Sequence, residues 1–355
     1  MAQQENKFTT LDFFEIKQKL IDHYQAQTEF QDVNFLGSTA NLLTDTCSYI
    51  LHQMAHHANF AISETFLDSV IKRSNALSRA KELGYPLATI SAAQMEVRIE
   101  SHGHNPIDGD VVIDKYQVFN SNSGIPFTNF ESITLSKETD ELGIFVDETI
   151  RTANVILHQG RVLDKSFNFN PSEEFERFAI PDDNIDARVI NLTVDGNEWL
   201  RHDHSEMLDG DNEVYFIQES GDGELEFFFG DGVLSQKPIN NALIELNILQ
   251  TSGEGGNVIN SIVYPLEANN ANFFISVTKQ SSGGAKPHST NRIASTAPLV
   301  FQGQQRAVTE NDYVGILKSK FSWIESLSVW GGERNVPPIY GKVFISIKPV
   351  GTETL

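Results

Sequence analysis

The sequence has few of the features that would tie it to a disulfide framework or a membrane. One residue of 355, Cys47, is a cysteine, so an internal disulfide cannot form, which fits a reducing compartment. No run of about 18 apolar residues is present, so no membrane span is expected. The opening residues, MAQQENKFTTLDFF, have neither the basic nor the apolar region of a signal peptide.

Basic residues are also scarce, with 26 Lys and Arg against 48 Asp and Glu and a formal net charge of -22. A chain this acidic repels nucleic acid and anionic membranes, and no basic cluster offsets the repulsion locally. Nucleic acid is therefore not an expected partner. Hydrophobic residues make up 40% of the chain, which is a globular composition, and the length allows two or three domains.

Common catalytic motifs are missing as well, including GxSxG, the Walker A loop and the Rossmann fingerprint. His52 and His56 have the i, i+4 spacing of zinc ligands, with His57 beside them, but no glutamate completes an HExxH pattern. We interpret the acidic, histidine-containing stretch 201–213 as a solvated loop and residues 101–106 as an exposed turn. The sequence therefore predicts no catalytic residue, no metal site, no cofactor and no enzymatic activity.

Helical periodicity dominates the first 90 residues. Thr10 is a plausible N-cap for an amphipathic helix that carries Leu11, Phe14, Leu20 and Tyr24. A second helix of about 24 residues, roughly 36 Å long, is predicted after Gly37-Ser38, with a break near residues 62–68. The residues that we expect to form a seam with partner helices are Leu43, Cys47, Ile50, Leu51, Met54 and Ala58. The glycine and proline of the stretch 83–86 end this helical region.

Alternating strand patterns follow from about residue 91 to residue 277. The predicted strands are 95–100, 110–114, 155–163, 188–196, 213–220, 224–232 and 242–249. Gly, Asp and Asn turns separate them, which predicts a mostly antiparallel β domain. The Gly-Asp-Gly of 230–232 favours positive φ, so Asp231 is interpreted as a turn residue rather than a metal ligand.

The C-terminal part begins with a glycine-rich break at 281–289. Thr309 then caps a short helix with Tyr313, Ile316 and Phe321, and strands follow at 325–330 and 342–350. The predicted fold class is α+β. It comprises an N-terminal long-helix segment (1–90), a central mostly antiparallel β body (91–280) and a small C-terminal αβ segment (281–355), which we expect to be truncated.

Several motifs occur in an order that resembles the baseplate J-like family and, more narrowly, the inner baseplate wedge proteins of T-even-like contractile-tail phages. The matching residues are Phe229, Gly230, Asp231, Gly232 and Pro238, then Gly253, Gly256 and Asn257, then Arg306, Ala307, Val308, Thr309, Asp312 and Tyr313. N-terminal stretches around residues 13–45, 64–75 and 82–94 are similar too. The chain departs from the family where Lys286 to Ser289 replace the usual acidic residues.

The resemblance implies a structural role in a virion tail baseplate, assembled in the host cytoplasm. Its expected partners are a second copy of the chain, other wedge proteins through a helical bundle, and the tail hub or sheath-initiating proteins. Two alternatives stay open: a peripheral tail adaptor or receptor-binding module, and a metal-dependent hydrolase that uses the loop at 201–213.

Overall fold

A computed structural model of the protein describes residues 12–27, 33–35, 37–102, 111–137, 150–170, 176–202, 208–220, 224–233, 235–263 and 272–350. The chain divides into two compact units. The first comprises residues 1–83 with 290–295, and the second comprises residues 84–289 with 296–355.

The first unit is helical and contains α1 (Phe13–Gln25), α2 (Thr39–Ser63) and α3 (Arg73–Glu82). The Asp12 side chain caps α1 by accepting from the Phe14 N–H at 2.9 Å, so the helix begins later than the predicted cap at Thr10, which lies outside the described residues. Ser38 caps α2 as its position predicts. The predicted break is confirmed, since α2 ends at Ser63, and Gly84 closes the region with a φ of 74°.

The second unit contains two seven-stranded sheets. In the first sheet the order is β14-β1-β6-β4-β3, with β5 pairing with β6 and β2 pairing with β5. Its strands are β1 (Gln94–His102), β2 (Val111–Ile113), β3 (Val118–Asn120), β4 (Pro126–Thr128), β5 (Ile133–Lys137), β6 (Ile150–Gln159) and β14 (Asn272–Ser282). Every pairing in this sheet is antiparallel, and Met95, Ile99, Phe119 and Leu157 lie in its core.

The second sheet has the order β7-β13-β9-β10-β11-β12-β8. Its strands are β7 (Arg161–Asn168), β8 (Arg177–Ile180), β9 (Ile185–Val194), β10 (Asn197–Arg201), β11 (Val214–Glu219), β12 (Leu225–Phe229) and β13 (Leu243–Gln250). The β10–β11 pair is parallel and the other pairs are antiparallel. The prediction of a mostly antiparallel body is therefore confirmed.

The predicted strand 155–163 is wrong as a single element. It breaks at Gly160, so that β6 belongs to the first sheet and β7 to the second. Gly160 has a φ of 137°, and a Cβ atom there would lie 2.2 Å from the Gln250 carbonyl oxygen. A sharp turn against another strand therefore requires glycine at this position.

The C-terminal region contains α4 (Thr290–Gly303), α5 (Glu310–Lys320), β15 (Ile324–Gly331) and β16 (Val343–Pro349). The two strands pair antiparallel in a separate two-stranded sheet, and α5 contacts β15. The helix α4 was not predicted, and β14 extends into the predicted break to Ser282. The combination of helices and antiparallel sheets confirms the α+β class. Among the described helices, none combines the length and the apolarity that a membrane span requires.

Candidate functional site

The side of α2 that faces the interior of the first unit is polar. Asn41, Thr44 and Ser48 are its buried residues, and α2 contacts α1. The Asn41 Nδ2 donates to the Val33 carbonyl at 2.8 Å, while the Thr44 and Ser48 hydroxyls donate to backbone carbonyls one helical turn earlier at 2.8 and 2.6 Å. Because each of these groups has a partner, their burial carries a small free-energy cost.

The opposite side of α2 is apolar and exposed. Leu43 is 61% exposed, Ile50 51%, Leu51 42% and Met54 61%. Cys47 and Ala58 are exposed as well, so all six residues of the predicted seam lie on the surface. This distribution is the reverse of the usual arrangement, in which the apolar stripe of a surface helix faces the core of its own domain.

The exposed stripe is wider than the sequence prediction. Leu42 is 67% exposed and Tyr49 59%. A signal for this width is present in the sequence, because residues 39–63 contain a single charged residue, Asp45. That carboxylate is paired with the Lys17 ammonium at 2.5 Å, so it does not interrupt the stripe as a free charge. We call the exposed residues Leu42, Leu43, Cys47, Tyr49, Ile50, Leu51, Met54 and Ala58 the apolar face of α2.

The histidines and acidic loops do not form a metal centre in the part of the chain that the structure describes. Within those residues no group of three or more His, Cys, Asp or Glu side chains could hold a metal ion. The expectations for residues 203–207 and 103–110 fall outside the described residues.

The Phe-Gly-Asp-Gly segment is a turn at the end of β12. The Phe227 and Phe229 rings point into the core of the second sheet, and Phe229 lies against Trp199 with 5.1 Å between ring centroids. The Asp231 Oδ1 accepts from the Val233 N–H at 2.9 Å, in agreement with a turn residue that bonds a nearby amide. The buried Pro238 follows on the same return segment.

Two positions of this turn, 230 and 232, require glycine for different structural reasons. Gly232 has a φ of 87°, which other residues rarely adopt. At Gly230 a Cβ atom would lie 1.7 Å from the Ser235 Oγ and 2.8 Å from the Ser235 carbonyl oxygen. The turn is therefore closed by a close approach of the chain at Ser235, and the motif has a structural explanation.

The second motif segment is a packed junction between the two sheets. The Asn257 side chain bonds both backbone groups of Gly284, donating to its carbonyl at 2.8 Å and accepting from its N–H at 2.9 Å. A Cβ atom at Gly284 would lie 2.2 Å from the Gly253 oxygen, and one at Gly256 would lie 2.5 Å from the Gln159 Cγ. These motif residues hold backbone segments together at distances that larger side chains would prevent.

The third motif segment caps α5. The Thr309 hydroxyl accepts from the Asp312 N–H at 3.3 Å, and Asp312 Oδ2 accepts from the Thr309 and Val308 N–H groups at 2.7 and 3.2 Å. The hydrogen bonds from the Thr309 backbone hold the pKa of the Asp312 carboxyl below its usual range. Arg306, Ala307 and Val308 are exposed, and Tyr313 is half-buried.

Three family models match the chain in succession. Residues 12–85 match "Baseplate wedge protein gp6-like, helical domain", residues 161–251 match "Bacteriophage baseplate wedge protein gp6, third domain", and residues 309–355 match "Baseplate structural protein gp6, C-terminal domain I". The helical domain contains the whole apolar face of α2.

A curated relative, the baseplate wedge protein gp6 of Enterobacteria phage T4, is 26% identical over 367 residues, which cover 95% of this chain and 54% of the relative. The chain thus spans about half the length of that relative. Among solved structures, a chain of the anti-feeding prophage baseplate, determined by cryo-EM, matches with a TM-score of 0.32 and 12% identity over 92% of this chain and 68% of that one. The structural match is too weak to carry an argument. The three domain matches and the 26% identity agree with each other, and the chain belongs to the gp6-like baseplate wedge proteins.

Proposed function

We propose that this chain is a structural, non-catalytic component of a phage tail baseplate wedge, and that it binds helices of neighbouring subunits through the apolar face of α2. The observation that carries the proposal is the burial pattern of α2, whose polar side packs inward while its leucines, Ile50 and Met54 are exposed. A contiguous exposed apolar surface of this kind marks an interaction site.

The spacing of the exposed residues suits a helical partner. Leu43, Cys47, Ile50 and Met54 follow steps of four, three and four residues, which keeps them on one seam along the helix. Ala61 continues the seam, whereas His57 occupies the position between Met54 and Ala61. A polar residue at a single seam position restricts the register in which helices can pair.

Burial of this face against a partner would contribute a free energy of several kcal/mol, which is comparable with the stability of a small domain. Complete burial of a Leu, Ile or Met side chain contributes roughly 1.5–3 kcal/mol. Leu43, Ile50 and Met54 are each more than half exposed, so a partner helix that covered them would recover much of that free energy. Affinity would be lower than the sum, because association also costs translational and side-chain entropy.

The proposed partners are a second copy of the chain and other wedge proteins that contribute helices to a common bundle, with the tail hub or sheath-initiating proteins as further neighbours. The family membership supports a place in a multi-protein baseplate. The virion tail baseplate is the proposed location, reached after assembly in the host cytoplasm.

Co-expression with the other baseplate proteins of the same phage tests the proposal, with the mass of the purified native complex as the measurement. Met54→Asp places a carboxylate in the seam and should abolish co-purification. Thr278→Asp, an exposed position of β14, is the matched control and should co-purify normally. A Met54→Asp chain that still enters a complex of wild-type mass would contradict the seam. A wild-type chain found at the tail periphery would favour the adaptor function instead.

A further inference from the structure

His288 joins three distant segments inside the second unit. The residue is 2% exposed, its Nδ1 lies 2.8 Å from the Tyr85 hydroxyl, and its Nε2 lies 2.9 Å from the Ser322 hydroxyl. Tyr85 follows α3, His288 precedes α4, and Ser322 lies in the turn between α5 and β15. A neutral imidazole has one donor and one acceptor nitrogen, so one hydroxyl donates to the ring and the other accepts from it. Both ring nitrogens are therefore satisfied without a charge.

The stretch that carries His288 is tied to the β body, although the sequence predicts a glycine-rich break there. The backbone groups of Ser91 and Ala285 exchange two hydrogen bonds of 2.9 and 3.0 Å. The His288 N–H donates to the Ala88 carbonyl at 3.3 Å. These bonds fix the imidazole relative to the two large sheets, so a contact with its Nε2 is a contact with the β body.

The C-terminal lobe, which we define as residues 309–350 with α5, β15 and β16, has packing contacts of its own. The helix α5 contacts β15, where Ile324 and Val329 are buried. Among the described residues, neither hydrophobic core of the two large sheets contains a residue beyond Val277. No described strand of those sheets runs beside α5, β15 or β16. The lobe is thus not part of either apolar core of the β body.

A cavity of about 620 Å³ lies between the C-terminal lobe and the first sheet. The sheet contributes Glu96 and Lys279 to its walls, and the lobe contributes Trp323 and Val350. The two sides approach more closely at Gly283, where a Cβ atom would lie 3.8 Å from the Trp323 Cδ1. Side chains that face a space of this size bury less apolar surface than those in a packed core, so this interface gains less hydrophobic stabilisation.

We propose that Tyr85, His288 and Ser322 form a latch that fixes the C-terminal lobe on the β body, and that the lobe turns as a folded unit when the latch opens. Water can replace the hydrogen bonds of the two hydroxyls and the imidazole, and opening breaks no apolar core. A contact of this kind opens at a lower free energy than global unfolding. The cavity leaves room for the lobe to move toward the sheet.

Distances between spin labels test the latch. In a Cys47→Ser background, which removes the chain's natural thiol, nitroxide labels are attached at Thr278→Cys on β14 and Ser328→Cys on β15, both exposed positions. Double electron–electron resonance measures the distribution of distances between them. The chain with an intact latch should give one narrow distribution. His288→Ala should broaden it, because the lobe then takes up several positions.

A milder variant avoids the loss of the buried ring. Tyr85→Phe combined with Ser322→Ala removes both hydroxyls and keeps the imidazole, and it should broaden the distribution as His288→Ala does. His57→Ala, at an exposed histidine of α2, is the matched control and should leave the distribution narrow.

A second pair of labels reports on the β body itself. Labels at Thr278→Cys and Glu245→Cys, on β14 and β13, should keep one narrow distribution in every variant. A broad distribution between β14 and β15 with the latch intact would show that the lobe is not fixed. A narrow one in both latch variants would show that other contacts fix it, and broadening between β14 and β13 would show that His288 supports the β body as a whole. Each of these three results would overturn the proposal.

Discussion

Glu64 shows how one carboxylate organises the turn between α2 and α3. Its oxygens accept from the Ile71 N–H at 2.9 Å, the Lys72 N–H at 3.2 Å and the Asn75 Nδ2 at 2.7 Å, and the residue is 8% exposed. Burial acts to raise the pKa of Glu64, but the hydrogen bonds from Asn75 and the two amides outweigh it, so the pKa lies below its usual value.

We predict that Glu64→Gln lowers the free energy of unfolding of the helical unit by on the order of 1–2 kcal/mol at neutral pH, because the amide cannot accept all of these bonds. A carboxyl whose folded pKa is depressed stabilises the fold above its unfolded pKa of about 4.3, and loses that effect as pH falls through the folded value. Thermal unfolding followed by circular dichroism should therefore show a lower midpoint for Glu64→Gln than for the wild type at pH 7. This difference between the two midpoints should shrink below about pH 4. The exposed Glu82→Gln is the control, and an equal effect there would contradict the role of Glu64.

Burial lowers the pKa of the His158 imidazole on β6. The Asp186 carboxylate opposes this shift to a smaller extent, whereas the Arg188 guanidinium acts in the same direction as burial. The folded protein resists protonation of this ring, so stability is full above the unfolded pKa of about 6.5 and declines as pH falls below it. We predict that the unfolding midpoint of His158→Gln falls less than that of the wild type between pH 7 and pH 5. His57→Gln, at an exposed position, should keep the wild-type slope; a wild-type slope in His158→Gln would contradict the prediction.

Asp231 and Gly230 belong to the same motif in the turn after β12, but we expect substitutions at the two positions to have different effects. Asp231→Asn keeps an oxygen that can accept from the Val233 N–H, so we predict little change in thermal stability or assembly. Gly230→Ala forces a Cβ atom against Ser235, so we predict a loss of roughly 1–3 kcal/mol or failure to fold, measured by the same thermal unfolding. Loss of a bound ion or an activity in Asp231→Asn would contradict the structural role of the motif.

Some element boundaries could be predicted from neighbouring residues in the sequence, and others could not. Ser38 and Thr309 mark helix starts because their hydroxyls accept from backbone amides, and such bonds depend on neighbouring residues alone. The break at Gly160 was hidden because alternation continues on both sides of the turn, and only contact with Gln250 reveals the need for glycine. The helix α4 was missed because it follows a glycine-rich stretch and contains Pro298, which normally disfavours a helix interior.

The apolar face of α2 shows what hydrophobic periodicity alone cannot predict, namely whether an apolar stripe is buried or exposed. The pattern located the stripe through Leu43, Cys47, Ile50 and Met54, but the same pattern describes a stripe buried in its own domain. The structure adds that Asn41, Thr44 and Ser48 occupy the inner side, which leaves the stripe exposed. Which side faces inward depends on the packing of α1 and on the contact of Asn41 with Val33, so spacing within α2 could not decide it.

The charge of the chain as a whole affects how it assembles. Subunits with a net charge of -22 repel one another, whereas the apolar face of α2 contains no charged residue, and the one charged residue of the helix, Asp45, is paired with Lys17. We predict that association of wild-type chains through this face strengthens between about 0.05 M and 0.5 M salt, because ions screen the repulsion without weakening apolar contact. Sedimentation equilibrium measures the effect, and weaker association at high salt would indicate an interface held by ion pairs.

Protection of Cys47 tests the central claim most directly, because the chain's one cysteine lies within the apolar face of α2 and is exposed. The measurement is the rate of maleimide labelling of this thiol in the purified chain and in assembled baseplate wedges under native conditions. Burial against partner helices predicts rapid labelling of the free chain and strong protection in the wedge, reversed when the wedge is dissociated. Equal labelling rates in the two states would show that the apolar face of α2 stays open to solvent after assembly, which would contradict the proposed function of this surface.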